Sequence, residues 1–259
     1  MSAISLLDLL TLEELDRDLY RSTVVFEEEH ALYGGQVAAQ ALLAAGLTVP
    51  ADRLPHSLHG YFLRSGDPAR PTILRVDRDR DGRSFSARRV VAVQGGEVIL
   101  NMSASFQVLD GGPDHQVQPA PDVPGPEGLP DVDVHRMFSI QIRQPYPEEG
   151  LLPTRSWVRC TVPLPESPLL HACALTYVSD SSTGLGPLPD ARDHVGSSLD
   201  HAVWFHRRAR LDEWVLIDLV PHSVSGLRGW YTGSIFTRGG VLAASLAQEA
   251  LFRPPRQAR

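Results

Sequence analysis

Three polar side chains stand where apolar ones are expected, and their types suit the handling of a water molecule. Asp180 lies near the end of an apolar stretch, Leu169 to Asp180, that reads as a helix. The helix macrodipole disfavours a carboxylate at its C-terminal end, so an acid there costs stability unless it is paired or used. Ser198 opens the next strand-like run, and Gln248 sits in the last one among Ala244, Leu246 and Ala247. A buried glutamine must find hydrogen-bond partners. On chemistry alone two readings stay open: satisfied polar residues at element ends, or groups retained for use.

Other familiar chemistries lack their residues. No lysine occurs, which removes Schiff-base and P-loop lysine mechanisms. Neither Gly82-Arg83-Ser84 nor Gly196-Ser197-Ser198 completes a nucleophile elbow, because the second glycine is missing. Gly184-Leu185-Gly186 runs into proline and cannot open a dinucleotide-binding helix. His201 and His206 are five apart in a strand-like run, hence expected on opposite faces, and no metal site is expected there. Cys160 and Cys173 form no CxxC pair, and reduced thiols fit best.

The elements that must position these groups can be read next. The chain has 259 residues and a formal charge of −7, which argues against a dedicated nucleic-acid binder. No apolar run approaches the roughly 20 residues of a membrane span. The start of the chain has no basic segment of a signal peptide, and Thr11-Leu12-Glu13-Glu14 reads as a capping box opening a short surface helix. Residues 110–133 hold six prolines and four glycines and read as a linker. They separate an N-terminal part, 1–109, from a C-terminal part, 134–259.

The two parts resemble each other. Ser57-Leu58 and Ser198-Leu199 open apolar runs 141 residues apart, and Gly95-Gly96 and Gly239-Gly240 join strand-like runs 144 residues apart. A near-constant offset of about half the chain suggests a duplicated domain. Each part has one apolar helix, Gly34–Gly46 and Leu169–Asp180, with Ser167 and Pro168 as a start signal for the second. Strand-like runs follow at 58–64, 72–76, 84–93 and 98–106, and at 199–205, 214–220, 230–237 and 241–251. A buried helix followed by an antiparallel meander implies a sheet wrapped around the helix. The expected class is therefore α+β, a double hot-dog of two tandem repeats.

At these residues the sequence resembles the acyl-CoA thioesterase II (TesB-type) family. The motifs that carry the resemblance are Leu32-Tyr33-Gly34-Gly35-Gln36, His59-Gly60-Tyr61-Phe62-Leu63-Arg64 with Gly66-Asp67, and Asp81-Gly82-Arg83-Ser84-Phe85-Ser86-Ala87-Arg88-Arg89-Val90. Leu199-Asp200-His201 with Trp204-Phe205-His206, and Ala247-Gln248-Glu249, complete the set. The resemblance runs from about Leu32 to Arg253. It implies a catalytic Asp after Tyr177-Val178-Ser179, which is Asp180, a hydroxyl two residues before Asp200-His201, which is Ser198, and a glutamine before Glu249, which is Gln248. Ser198 replaces the family's threonine and preserves its hydroxyl.

The activity so implied is hydrolysis of fatty acyl-CoA, with Asp180 as base and Ser198 and Gln248 fixing the water. No cofactor is implied, and no covalent acyl-enzyme, since nothing near Ser198 would activate it strongly. An oxyanion needs donors, and backbone N–H groups around Gly34 and Gly35 are candidates; close helix–sheet packing is the competing account of those glycines. The arginines at 78, 80, 83, 88 and 89 read first as a solvated strand surface and second as phosphate contacts. Two rival functions remain on the same fold. A hydratase or dehydratase would need a Gly-Asp-x-Asn-Pro-x-His motif that Asp180-Ser181-Ser182-Thr183-Gly184 does not match, and a non-catalytic acyl-CoA or lipid sensor would not need all three site groups. The family also implies a homo-oligomer, and without a Ser-Lys-Leu ending the cytoplasm is the default compartment.

Overall fold

The structure, a computed structural model, describes residues 4–109, 111–134, 137–146, 153–188 and 191–253. Met1 to Ala3, Asp110 and Arg256 to Arg259, which enter the expectations above, lie outside these ranges. The first half holds helix α1 (Leu6–Leu9), strands β1 (Leu12–Asp16) and β2 (Leu19–Ser22), helix α2 (Gly34–Gly46), and strands β3 (Arg53–Phe62), β4 (Ile73–Asp81), β5 (Phe85–Gln94) and β6 (Glu97–Val108). The second half holds strands β7 (Asp131–Val132), β8 (Ile140–Arg143) and β9 (Arg155–Cys160), helix α3 (Pro168–Ser179), helix α4 (Ala191–His194), and strands β10 (Val195–Ser198), β11 (Asp200–Phe205), β12 (Val215–Ser225), β13 (Arg228–Thr237) and β14 (Leu242–Phe252).

Among the described residues all strands join one antiparallel sheet, ordered β1-β2-β4-β5-β6-β3-β11-β14-β13-β12-β9-β8-β7, with β10 also on β14. The order is nearly a palindrome about the β3–β11 seam, where Asp200 faces Tyr61 and Trp204 faces Ser57. Each half wraps four long strands around one helix. This is the double hot-dog architecture, as the paired helices and meanders implied.

The two helices are apolar almost all round because they pack on each other and beneath the strands that wrap them. They run antiparallel and close. A Cβ on Gly35 would lie 2.4 Å from the Tyr177 carbonyl oxygen, and one on Gly46 would lie 2.5 Å from Leu169. Glycine at both ends of α2 therefore lets the backbones approach, and it sets the N-terminus of α2 beside the C-terminus of α3. Ser167 caps α3 by accepting from Leu170 N–H, with Pro168 in the first turn.

Four expectations need correction. Thr11 to Glu14 open no helix: the capping box is Ser5 with Asp8, and Leu12–Asp16 is strand β1, tied to β2 by Glu13 and Arg21. The buried leucines 6, 9 and 10 decide this, since they make α1 the segment that reaches the core. Strand β3 begins at Arg53, not Leu58. Pro55 is accommodated where the register with β6 slips, outside the part of β3 that pairs with β11. Strand β12 likewise passes Pro221 through a slip between Pro221 and Ser223. Finally, Arg88 is no solvated surface residue. Its side chain is fully buried against Thr48 and Asp81.

The proline-rich segment forms no long strand; only Asp131 and Val132 join the sheet, at its edge. The rest straps across the second half. Gln116 bonds the Gly240 carbonyl and Leu242 N–H, and Pro124 accepts from Trp157 Nε1 at 2.8 Å. Ala120, Val123 and Leu129 cover a small apolar cluster of Trp157, Trp214, Leu216 and Phe236. No helix among the described residues is long and apolar enough to cross a membrane.

Candidate active site

Asp180, Ser198 and Gln248 meet. Asp180 is the C-cap residue of α3, Ser198 ends β10, and Gln248 points inward from β14. Ser198 Oγ donates to Asp180 Oδ1 at 2.8 Å. Gln248 Nε2 donates to the same oxygen at 2.7 Å and to Ser198 Oγ at 2.5 Å. One carboxylate oxygen thus takes both protein donors. The other, Oδ2, turns toward the start of α2, where a Cβ on Gly34 would lie only 2.7 Å from it.

The two glycines differ. Gly34 is the residue without a side chain beside the carboxylate, with Phe62 as its next neighbour. Gly35 is packed on the Tyr177 carbonyl and the Tyr33 ring, so its missing side chain serves the helix contact. Both begin a helix whose N-cap residue, Tyr33, makes no side-chain capping bond. The first N–H groups of a helix have no intrahelical acceptor, and they favour negative charge.

A second layer stands behind Gln248, and sequence reasoning missed it. His201 Nδ1 is hydrogen-bonded to Gln248 Oε1, and His201 Nε2 lies 2.7 Å from Ser179 Oγ. In a regular strand Ser198 and His201, three apart, would point to opposite faces. Here Ser198 faces Ala250 while Ala202 faces Ala247, four residues on one strand against three on the other. This β-bulge turns both side chains onto Gln248. The only sequence signal was the Asp200-His201 pair. Asp200 holds the bulge by accepting from Glu249 N–H at 2.7 Å. His206 lies past the end of β11 and bonds Ser245, far from this network.

Burial shapes the electrostatics. It holds the His201 imidazole below its ordinary range, against the opposing pull of the Asp180 charge, Gln248 and Asp200. It also pushes the Tyr33 and Tyr231 phenols well above theirs, with the Asp180 charge adding to the effect. Neither phenol competes with a carboxylate for protons at neutral pH. Tyr33 instead donates to the Tyr177 carbonyl at 2.6 Å and fixes the helix junction. A cavity of about 390 Å³ lies at the opposite end of α3, lined by Pro168, His171, Leu175, Phe205 and Arg208 among others. None of the Asp180 cluster lines it, so the hydrogen-bonded carboxylate and this hollow are separate places on the molecule.

A double hot-dog with a carboxylate, a hydroxyl and an amide converging at the junction of its helices has the parts of a water-activating enzyme. Comparison with known proteins gives the family. Residues 26–107 match the model of the acyl-CoA thioesterase N-terminal domain, and residues 114–252 match that of the C-terminal domain. The chain belongs to the acyl-CoA thioesterase family. Acyl-CoA thioesterase 2 of Haemophilus influenzae is 34% identical over 96% of this chain and 97% of its own length. Mouse acyl-coenzyme A thioesterase 8 is 34% identical over 98% of this chain and 90% of its own. Among solved structures, an acyl-CoA thioesterase II, TesB2, from Mycobacterium marinum superposes with a TM-score of 0.82 at 42% identity, covering 97% of this chain and 98% of that one. A hot-dog protein from Alicyclobacillus acidocaldarius, at 21% identity and a TM-score of 0.76, speaks to the fold alone.

Proposed function

We propose that the protein hydrolyses fatty acyl-CoA thioesters to the free acid and coenzyme A, and that Asp180, Ser198 and Gln248 do the chemistry. The observation that carries the roles is the split of the Asp180 carboxylate: Oδ1 bonded by Ser198 and Gln248, Oδ2 turned to the start of α2. A water bonded to this cluster loses its proton to Asp180 as its oxygen attacks the thioester carbonyl. Ser198 and Gln248 hold that water and the carboxylate in one geometry. The N–H groups at Gly34 and Gly35 receive the oxyanion. Collapse breaks the C–S bond, and the proton on Asp180 passes to the departing thiolate. Charge and atoms balance with no covalent enzyme intermediate.

Thiol release from a panel of short- to long-chain acyl-CoAs, by wild type and Asp180→Asn together, tests this reading. Release by wild type and a loss of at least ~10²-fold in the variant is expected. Thioesters that bind to folded wild type without release would instead support a non-catalytic acyl-CoA sensor. The reading keeps 1–109 and 134–259 as the two repeats and 110–133 as their connector; the N-terminal family match, ending at 107, supports the first boundary, while the C-terminal match begins at 114 and takes in most of the connector. It also keeps a homo-oligomer, supported by the family resemblance, and the cytoplasm, supported by two free, buried cysteines. Light scattering on the purified protein checks the assembly.

A further inference from the structure

We propose that His201 is a positioning residue that fixes which way the Gln248 amide points, and that Ser179 fixes His201 in turn. This rests on the catalytic reading of Asp180 and Gln248 given above. The argument runs outward from the carboxylate. A carboxylate only accepts, so the Gln248 edge that meets Asp180 Oδ1 must be its NH2 group. The amide oxygen therefore points the other way, to His201 Nδ1, which must carry a hydrogen to satisfy it. A neutral imidazole with its hydrogen on Nδ1 leaves Nε2 bare. Ser179 Oγ, 2.7 Å away, must then give its one hydrogen to Nε2 rather than to the Thr176 carbonyl, which lies 2.8 Å from it. Every donor in the series has one acceptor, and reversing any member would oppose two acceptors.

Burial makes this ordering consequential. Gln248, His201 and Ser179 are each 1% exposed, so no bulk water can substitute for a lost partner. Without the Nδ1 hydrogen, the amide oxygen of Gln248 is left unpaired, and its best remedy is to rotate. Rotation would aim that oxygen at Asp180 and withdraw the donor from Ser198. The sister repeat supplies the control. Counted from the Gly-Gly hairpins, 144 residues apart, Gln248 corresponds to Ala104. Gln248 lies opposite Tyr231 on β13 and is bonded to His201, and Ala104 lies opposite Arg88 on β5 and Leu58 on β3, a register that replaces the expected match of Leu58 to Leu199. Where no amide needs orienting, the fold accepts a leucine in the histidine's place.

The test uses four variants of the full chain, with Asp180→Asn as the control for the underlying reading. His201→Leu installs the sister residue and should lower kcat by ~10- to 100-fold, the cost of a displaced catalytic group, with KM changed by less than about threefold. His201→Asn keeps a donor where Nδ1 was and should recover most of that loss. The double variant His201→Leu/Gln248→Ala should be no slower than Gln248→Ala, because the histidine acts through the glutamine. Wild-type kcat in His201→Leu, losses that multiply in the double variant, or no recovery with asparagine would overturn the proposal. If thermal melting shows His201→Leu misfolded, Ser179→Ala takes its place: lowered kcat at an unchanged melting temperature supports the ordering, and an unchanged kcat refutes it. If Asp180→Asn retains full activity, the catalytic reading itself has failed, a result separate from any of these.

Discussion

The ends of the two buried helices are finished in opposite ways. Past the C-terminus of α2, Arg88 reaches in from β5 and bonds Thr48 Oγ1 at 2.7 Å, the Thr48 carbonyl at 3.1 Å and Asp81 at 2.8 Å. A cation there suits the helix dipole, and its neighbours Leu58 and Ala104 are apolar and buried. At the C-terminus of α3 stands a carboxylate, Asp180, which the dipole disfavours, and the neighbouring strands supply His201 and Gln248. The same architecture thus satisfies local rules in one repeat and breaks them in the other. Such departures concentrate where a site is held for use rather than for stability.

That contrast is sharpest at its two charged residues. Asp180→Asn should cost ~10²- to 10⁴-fold in kcat, the range for removing a general base. Its melting temperature should hold, because an amide keeps much of the hydrogen bonding, and the charge removed is disfavoured by the α3 dipole but favoured by the N-terminus of α2. A melting temperature that falls with activity would mean Asp180 is a structural acid after all. Arg88→Met should do the reverse. It removes a fully buried guanidinium bonded to Thr48 and to the half-exposed Asp81, and should destabilise the fold by about 3 kcal/mol, read from denaturant unfolding, while the folded fraction keeps the wild-type kcat. Loss of activity in that folded fraction would blur the division between the repeats.

The adjacent glycines extend the comparison to α2. A methyl on Gly34 meets Asp180 Oδ2 at 2.7 Å, whereas one on Gly35 meets the Tyr177 backbone at 2.4 Å. Gly34→Ala should therefore displace a tethered carboxylate and lower kcat by about tenfold with little change in stability. Gly35→Ala pushes on backbone that cannot yield, and should cost about 1–3 kcal/mol of stability. Kinetics and melting of the two variants, measured side by side, would break this assignment if their effects were exchanged.

Much of this was legible in the residues. The helices at Gly34 and Leu169 announce themselves by apolar character on every face, and Gly95-Gly96 by a tight turn whose two glycines do adopt positive φ. Asp180 and Gln248 stood out as polar groups in apolar elements. What stayed hidden depends on register. The strand-like runs read from sequence start at 58 and stop at 220, short of Pro55 and Pro221; a proline removes a ladder donor, yet bulges absorb both and the strands run on past them. His201 was hidden for the same reason: its three-residue spacing from Ser198 says opposite faces until a bulge intervenes. Arg88 sat within a run of exposed arginines, and nothing in its neighbours marks it as the one turned inward.

The smallest expected effect is a pH dependence at His201, whose counterpart in the sister repeat, Leu58, does not titrate. Burial lowers the His201 pKa below the ordinary 6.5, and it outweighs the raising influence of Asp180 on α3, Gln248 on β14 and Asp200 on its own strand. As pH falls through about 6.5, the unfolded chain binds a proton at this histidine before the folded chain does, so folding stability declines. The contribution is complete above that pH and is lost on the acid side. His56, His171 and His206 shift the same way, so wild type alone cannot apportion the slope. The carboxylates at Asp18, Asp81 and Asp212 do not enter this window, since theirs are lowered from 3.8 and act at more acid pH. Unfolding free energies of wild type and His201→Leu between pH 7.5 and 5 isolate the term. The variant should lose less stability over that span, because the leucine it gains is the residue the sister repeat carries at Leu58, where nothing titrates. Parallel curves would mean that His201 takes up its proton in the folded state as readily as in the unfolded one, and the contrast between the repeats would then rest on Asp180 and Arg88 alone.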